Sequence, residues 1–155
     1  MKFEIVFNEN EPQKALDVYH SIKVIYDDIH LFSKNGGGDG ILCIENTYLE
    51  VDFDIESKRV CGISGYIGKK NKLKTEPLFE PLNYQSGILY IKSKEPCTQG
   101  VGYSYKMPNK ICYDPKNKIL SIGITNKDFI VYKILDNVFV YTKDNNLLGI
   151  IISDI

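Results

Sequence analysis

Near the start of the chain, Phe3, Ile5 and Phe7 occupy every second position, with Lys2, Glu4 and Val6 between them. That period of two predicts a strand over Met1 to Phe7 with one buried face, pairing within the main sheet. Farther on, Ala15, Val18, Tyr19, Ile22, Ile25, Tyr26, Ile29 and Phe32 recur at steps of three and four. The spacing predicts a long N-terminal helix with a single apolar stripe laid on a sheet. Asn10, Pro12 and Gln13 supply its start signals, and Gly36, Gly37 and Gly38 its stop.

From residue 41 onward the pattern is that of strands. Ile41 to Ile44 and Tyr48 to Ile55 predict a hairpin around Glu45-Asn46-Thr47, and Arg59 to Ile67 predicts a further strand in which Gly62 and Gly65 mark a bulge or a close backbone approach. Residues 69 to 87, with Pro77 and Pro81, predict an irregular excursion. A regular meander follows, with strands at 88–91, 110–113, 119–125, 129–134, 138–142 and 147–153, separated by Asp-, Asn- and Pro-bearing turns. Runs such as Val138-Phe139-Val140-Tyr141 are apolar at successive positions, so both of their faces must be covered. The expected fold class is therefore α+β: mainly antiparallel β, as a sandwich or curled half-barrel, with the helix packed on the sheet.

Length and composition refine this picture. At 155 residues, 43% of them apolar, the chain is expected to form one domain over 1–155 and to bury roughly 68–70% of its unfolded surface without disulfide or metal staples. The longest apolar run, Leu147 to Ile152, is far below the ~20 residues that cross a bilayer, and Glu4 stands too early for a signal sequence, so a cytoplasmic location is expected. Cys43, Cys61, Cys97 and Cys112 include no close pair of the kind that holds zinc, and they are expected to be free, buried thiols. The net charge of −1 conceals a division along the chain. Residues 1–57 hold 4 Lys against 12 acids, and residues 58–155 hold 15 Lys and Arg against 8 acids.

The most pointed candidate site is Glu50, Asp52, Asp54 and Glu56, four carboxylates alternating with Leu49, Val51, Phe53 and Ile55. On an extended strand they would share one solvated face and offer it to a basic partner. Gly36-Gly37-Gly38-Asp39-Gly40 lacks the Lys and Ser or Thr of a phosphate-binding loop and follows the expected helix, so it is taken as a helix stop. Gly62-Ile63-Ser64-Gly65 is too short for a nucleophile elbow, and His20 and His30 are taken as exposed helix residues. Lys69, Lys70, Lys72 and Lys74, near Tyr66, Tyr84, Tyr90, Tyr103 and Tyr105, contain the ingredients of a single-strand binder, yet the slightly negative total and the one Arg argue against that use. No catalytic set, cofactor site or metal site is expected, and neither a membrane, a nucleic acid nor a small molecule is the expected partner.

Tyr113-Asp114, Leu120-x-Ile122, Asp136-Asn137-Val138 and Leu147-Leu148-Gly149-Ile150-x-Ile152-x-Asp154 together resemble a short bacterial all-β domain family that ends in a similar Leu-x-Gly-Ile-x-Ile pattern. The likeness covers roughly the last 43 residues and implies the meander, with no site residues. As a small Lys-, Asn- and Ile-rich chain with an acidic strand face, the whole sequence also resembles the immunity proteins that bacteria keep against toxins, including those delivered in contact-dependent growth inhibition. This second resemblance implies a non-enzymatic protein that neutralises a basic toxin domain by direct binding. The alternative expectation is a β-barrel-like enzyme or binder enclosing a small molecule.

Overall fold

A computed structural model describes residues 3–8, 18–25, 28–35, 38–68, 74–108 and 110–153. Every regular element among them is a β-strand. In chain order these are β1 (Phe3–Asn8), β2 (Val18–Ile25), β3 (Asp28–Asn35), β4 (Gly40–Ile44), β5 (Tyr48–Phe53), β6 (Val60–Ile67) and β7 (Gln85–Ser86). There follow β8 (Ile88–Ser93), β9 (Gly102–Tyr105), β10 (Ile111–Asp114), β11 (Ile119–Gly123), β12 (Ile130–Leu135), β13 (Val138–Lys143) and β14 (Asn146–Ser153).

The expected N-terminal helix is overturned. β2 and β3 are antiparallel strands in register from Val18 opposite Asn35 to Ile25 opposite Asp28, and β3 pairs onward with β6. The segment is rich in Val, Ile, Tyr and Phe, whose branched or aromatic side chains lose freedom in a helix and fit a pleated surface. Its three-and-four stripe also contains a period of two, Ile22 and Val24 on β2 and Ile29 and Leu31 on β3. Pairing with β6 buries Ile29 and Leu31 in the common core, and that tertiary gain selects the strand. The start signals at Asn10, Pro12 and Gln13, and Gly36 and Gly37 of the expected stop, lie outside the described residues.

Two six-stranded sheets result. The first runs β2-β3-β6-β5-β4-β9 and the second β10-β11-β14-β13-β12-β7, while β1 pairs with β8 in a separate ribbon and not within the main sheet. Two edge strands, β9 beside β4 and β7 beside β12, are parallel to their neighbours; the other pairings between named strands among the described residues are antiparallel. The expected meander holds for β12-β13-β14, but β14 then returns to lie between β13 and β11. The excursion from residue 74 contacts the second sheet at a parallel bridge from Lys74 to Cys112, at the Leu78 amide, which donates to the Asp114 carboxylate at 2.9 Å, and at β7.

One apolar cluster joins the sheets. Leu42, Leu49, Val51, Phe53 and Ile63 from the first meet Leu120, Ile122, Val138, Val140 and Ile150 from the second, with Ile5, Leu89 and Ile91 of the ribbon. A smaller cluster, Leu78, Cys112, Val131, Phe139, Tyr141 and Ile151, covers the outer face of the second sheet, and this explains the runs that are apolar at successive positions. Burial pushes the Tyr141 hydroxyl up to about 12.

Two local devices fix how the strands approach one another. Gly65 has a φ of 129°, and a Cβ there would stand 2.0 Å from the Tyr48 carbonyl oxygen, so its glycine is required for β5 and β6 to meet. Tyr105, at the end of edge strand β9, reaches across the core. Its hydroxyl donates to the Leu147 carbonyl at 3.0 Å and accepts from the Leu147 amide at 2.7 Å, tying the first sheet to β14.

Tyr105→Phe is expected to leave both Leu147 backbone groups unpaired in the core and to cost about 1–3 kcal/mol, read as a lower midpoint in urea unfolding. Gly65→Ala should be at least as damaging, because backbone as well as side chain must move. A midpoint within error of wild type for either variant would contradict the close approach or the tie.

Candidate functional site

Burying Leu49, Val51 and Phe53 against the second sheet turns Tyr48, Glu50 and Asp52 to the opposite, outer face of the first sheet. Neighbouring strands add to that face by register. On β6, Tyr66 lies opposite Tyr48, Ser64 opposite Glu50 and Gly62 opposite Asp52; on β3, His30 lies opposite Tyr66; on β4, Cys43 lies opposite Glu50.

The acidic stripe is only half as long as its sequence implies. β5 ends at Phe53, where the pairing with β6 shifts register, so Glu50 and Asp52 are strand residues while Asp54 and Glu56 belong to the following turn. Asp54 organises that turn: its Oδ1 accepts from the Ser57 amide at 2.6 Å and the Ser57 hydroxyl at 2.7 Å. Those bonds, the amide first and then the hydroxyl, with a further contribution from Arg59, hold the Asp54 carboxyl below its ordinary range despite a small opposing effect of burial. Glu56 is exposed. Asp52 is only 2% exposed and accepts from the Ser64 hydroxyl at 2.9 Å. The four acids therefore have distinct environments, and only Glu50 and Asp52 share a face.

That face carries a feature that reading residues 10–35 as a helix hid. Tyr48 and Tyr66 stack with ring centroids 4.7 Å apart and planes 18° from parallel, and His30 continues the stack on Tyr66 at 5.9 Å and 22°. All three are exposed, Tyr48 at 64%. Tyr48 shares the parity of Glu50 and Asp52, and this was the signal available in the sequence. Beside the stack, Cys43 is half-buried; burial and then the Glu50 charge raise its thiol above the ordinary value.

The other sequence candidates disperse. Ser64 donates directly to Asp52 with no imidazole between them, and His20 falls on β2 at a position whose side chain is not described. Gly38 and Asp39 approach the end of β5, where Asp39 accepts from the Ile55 amide at 2.8 Å, and no helix is present there for a stop to end. Lys69, Lys70 and Lys72 lie outside the described residues, whereas Tyr105 is buried and Tyr103 half-buried, so the named tyrosines do not form one platform. Cys61, Cys97 and Cys112 are buried. Among the described residues no group of three His, Cys, Asp or Glu could hold a metal ion, and no helix is long and apolar enough to cross a membrane.

Among the described residues, two spaces lie beside these faces. Between the sheets, a void of about 10 Å³ is lined by apolar side chains such as Val51, Ile63, Val140 and Ile150 together with Gly62, no larger than a single water requires. On the second sheet, an open groove of about 310 Å³ is floored by Cys112 and Ser121 and walled by Glu76, Lys110, Thr125 and Asn126. Glu76 and Lys110 pair across 3.6 Å. Hydrogen bonding from Cys112, then the Lys110 charge, lowers the Glu76 carboxyl, and burial leads the causes that raise the Cys112 thiol.

No protein-family model matches the chain, and no curated protein matches it in sequence.

Because the folded Asp54 carboxyl titrates below its unfolded value of about 3.9, its bonds to Ser57 contribute fully above that pH and are lost as pH falls through the folded value. Carboxyl-carbon NMR should give Asp54 a pKa below 3.9, and Ser57→Ala should raise it. An unshifted Asp54 would refute the turn's hydrogen-bond arrangement.

Proposed function

We propose that the protein is a non-enzymatic binding module that docks a basic protein on the outer face of the first sheet. The observation that carries this reading is the exposed Tyr48–Tyr66–His30 stack sharing a strand face with Glu50. Tyrosines that present large, stiff surfaces at little entropic cost dominate many protein interfaces, and an adjacent carboxylate selects for positive charge and speeds the encounter. A toxin domain neutralised by direct contact is the partner that such a face and the resemblance to immunity proteins suggest.

A small-molecule site is less well supported. The void between the sheets, at about 10 Å³, is too small for a metabolite, and the groove over Cys112 and Ser121 already has its two charged walls paired with each other.

Pull-down from the source cells with the wild-type chain as bait is expected to retain a basic protein. Loss of an interface hot spot costs about 2 kcal/mol or more, so Tyr48→Ala with Tyr66→Ala should weaken that partner's binding at least roughly thirtyfold while circular dichroism stays native. Asp54→Asn, placed in the turn, should leave the affinity unchanged. Equal binding by the tyrosine variant and wild type would remove this face from the interface.

A further inference from the structure

We infer that Tyr48 and Glu50 form a receptor for an arginine side chain of the partner protein, a specificity element that rests on the docking face proposed above. Three observations converge on it.

The first is the asymmetry of the stack. Tyr66 covers one side of the Tyr48 ring at 4.7 Å, no second ring stacks on Tyr48 among the described residues, and its side chain is 64% exposed, so ring surface is left accessible. A ring backed by Tyr66 and, behind it, His30 presents a π-face, and a guanidinium lying over such a face within about 6 Å is attracted by its quadrupole.

The second is the position of Glu50. It stands two residues from Tyr48 on the same face, roughly 7 Å along the strand, a separation that one arginine can bridge by stacking on the ring and turning its fork to the carboxylate. Residues at the cross-strand positions on either side, Ser64 and Cys43, offer no cation, and the Ser64 hydroxyl is directed to Asp52. No hydrogen bond or ion pair engages Glu50 among the described residues, although it is half-buried. Its charge is felt at Cys43, where after burial it is the second cause that raises the thiol.

The third is the surrounding charge. Glu45 lies exposed in the turn between β4 and β5, three residues before Tyr48, so the neighbourhood of the ring carries two carboxylates. Lysine would satisfy a carboxylate as a point charge, but it lacks the flat, bidentate group that stacks and pairs at once. The receptor therefore discriminates between the two basic residues, which an acidic stripe alone would not do.

The test uses the full chain, isotope-labelled, and three short peptides, Gly-Arg-Gly, Gly-Lys-Gly and Gly-citrulline-Gly, titrated by amide NMR. The arginine peptide is expected to shift the amides of 48–50 and 64–66 with a millimolar Kd. The lysine peptide should bind roughly fivefold or more weakly, and the uncharged citrulline peptide should produce no saturable shift. Glu50→Gln and Tyr48→Leu should each weaken arginine binding by a similar factor, with the remaining spectrum unchanged as the check on folding. Equal affinity for arginine and lysine, arginine shifts confined to other surfaces, or indifference to Glu50→Gln would overturn the receptor. Arginine selectivity without any protein partner on this face would leave the receptor standing and remove the docking reading. A partner bound through Tyr48 and Tyr66 without arginine selectivity would do the reverse.

Discussion

Close packing between two sheets sets the terms for the rest of this molecule. With Val51 and Ile63 pressed against Val140 and Ile150 and almost no space between them, neither β5 nor β6 can slip by one residue without turning its apolar set to the outer face. The inner face thereby dictates the outer one. Tyr48, Glu50 and Asp52 point outward because Leu49, Val51 and Phe53 cannot, and Tyr66 meets Tyr48 because β5 and β6 have a single register that satisfies the core. The exposed aromatic stack is thus a consequence of core parity as much as a surface feature in its own right.

Against this rigidity, the two ends of β5 behave differently. Toward Tyr48 the strand enters a tight connection in which Asn46 adopts a positive φ of 62° and the Thr47 hydroxyl donates to the Ile44 carbonyl. At the far end the register shifts after Asp52, and the chain leaves the sheet into a turn held by Asp54. The same carboxylate chemistry therefore serves three purposes within a few residues: Asp52 is satisfied inside the sheet face, Asp54 builds a reversal, and Glu50 is left available.

Much of the β-structure was legible in the sequence because its cause is local. The alternation at Tyr48 to Phe53, the turn residues after Asp114, Asp136 and Lys143, and the apolar run of β14 each state their own conformation. β2 and β3 were not legible, since Val18, Ile22, Ile25 and Ile29 fall at helical steps while the period of two runs through Ile22 and Val24 and through Ile29 and Leu31, and the decision falls to β6, a partner about thirty to forty residues away. β9 escaped notice for a related reason: Gly102 to Tyr105 is too short and polar to declare itself and is held by pairing with β4. Of the site, the parity of Glu50 and Asp52 could be read directly. The end of the strand at Phe53 could not, and neither could the stack, whose third ring comes from the misread segment.

Pairing of early segments of the chain with late ones has a consequence for biosynthesis. The first sheet gains its last strand only when residue 105 has emerged from the ribosome, the Tyr105 hydroxyl waits for Leu147, and the Ile5 amide finds the Asn145 carbonyl at 2.8 Å. Neither half can therefore reach its final state while the other is still being synthesised. Throughout translation the nascent chain carries an unfinished apolar surface, and closure is expected to come late and in one cooperative step, at the slow pace of folds built from distant pairings.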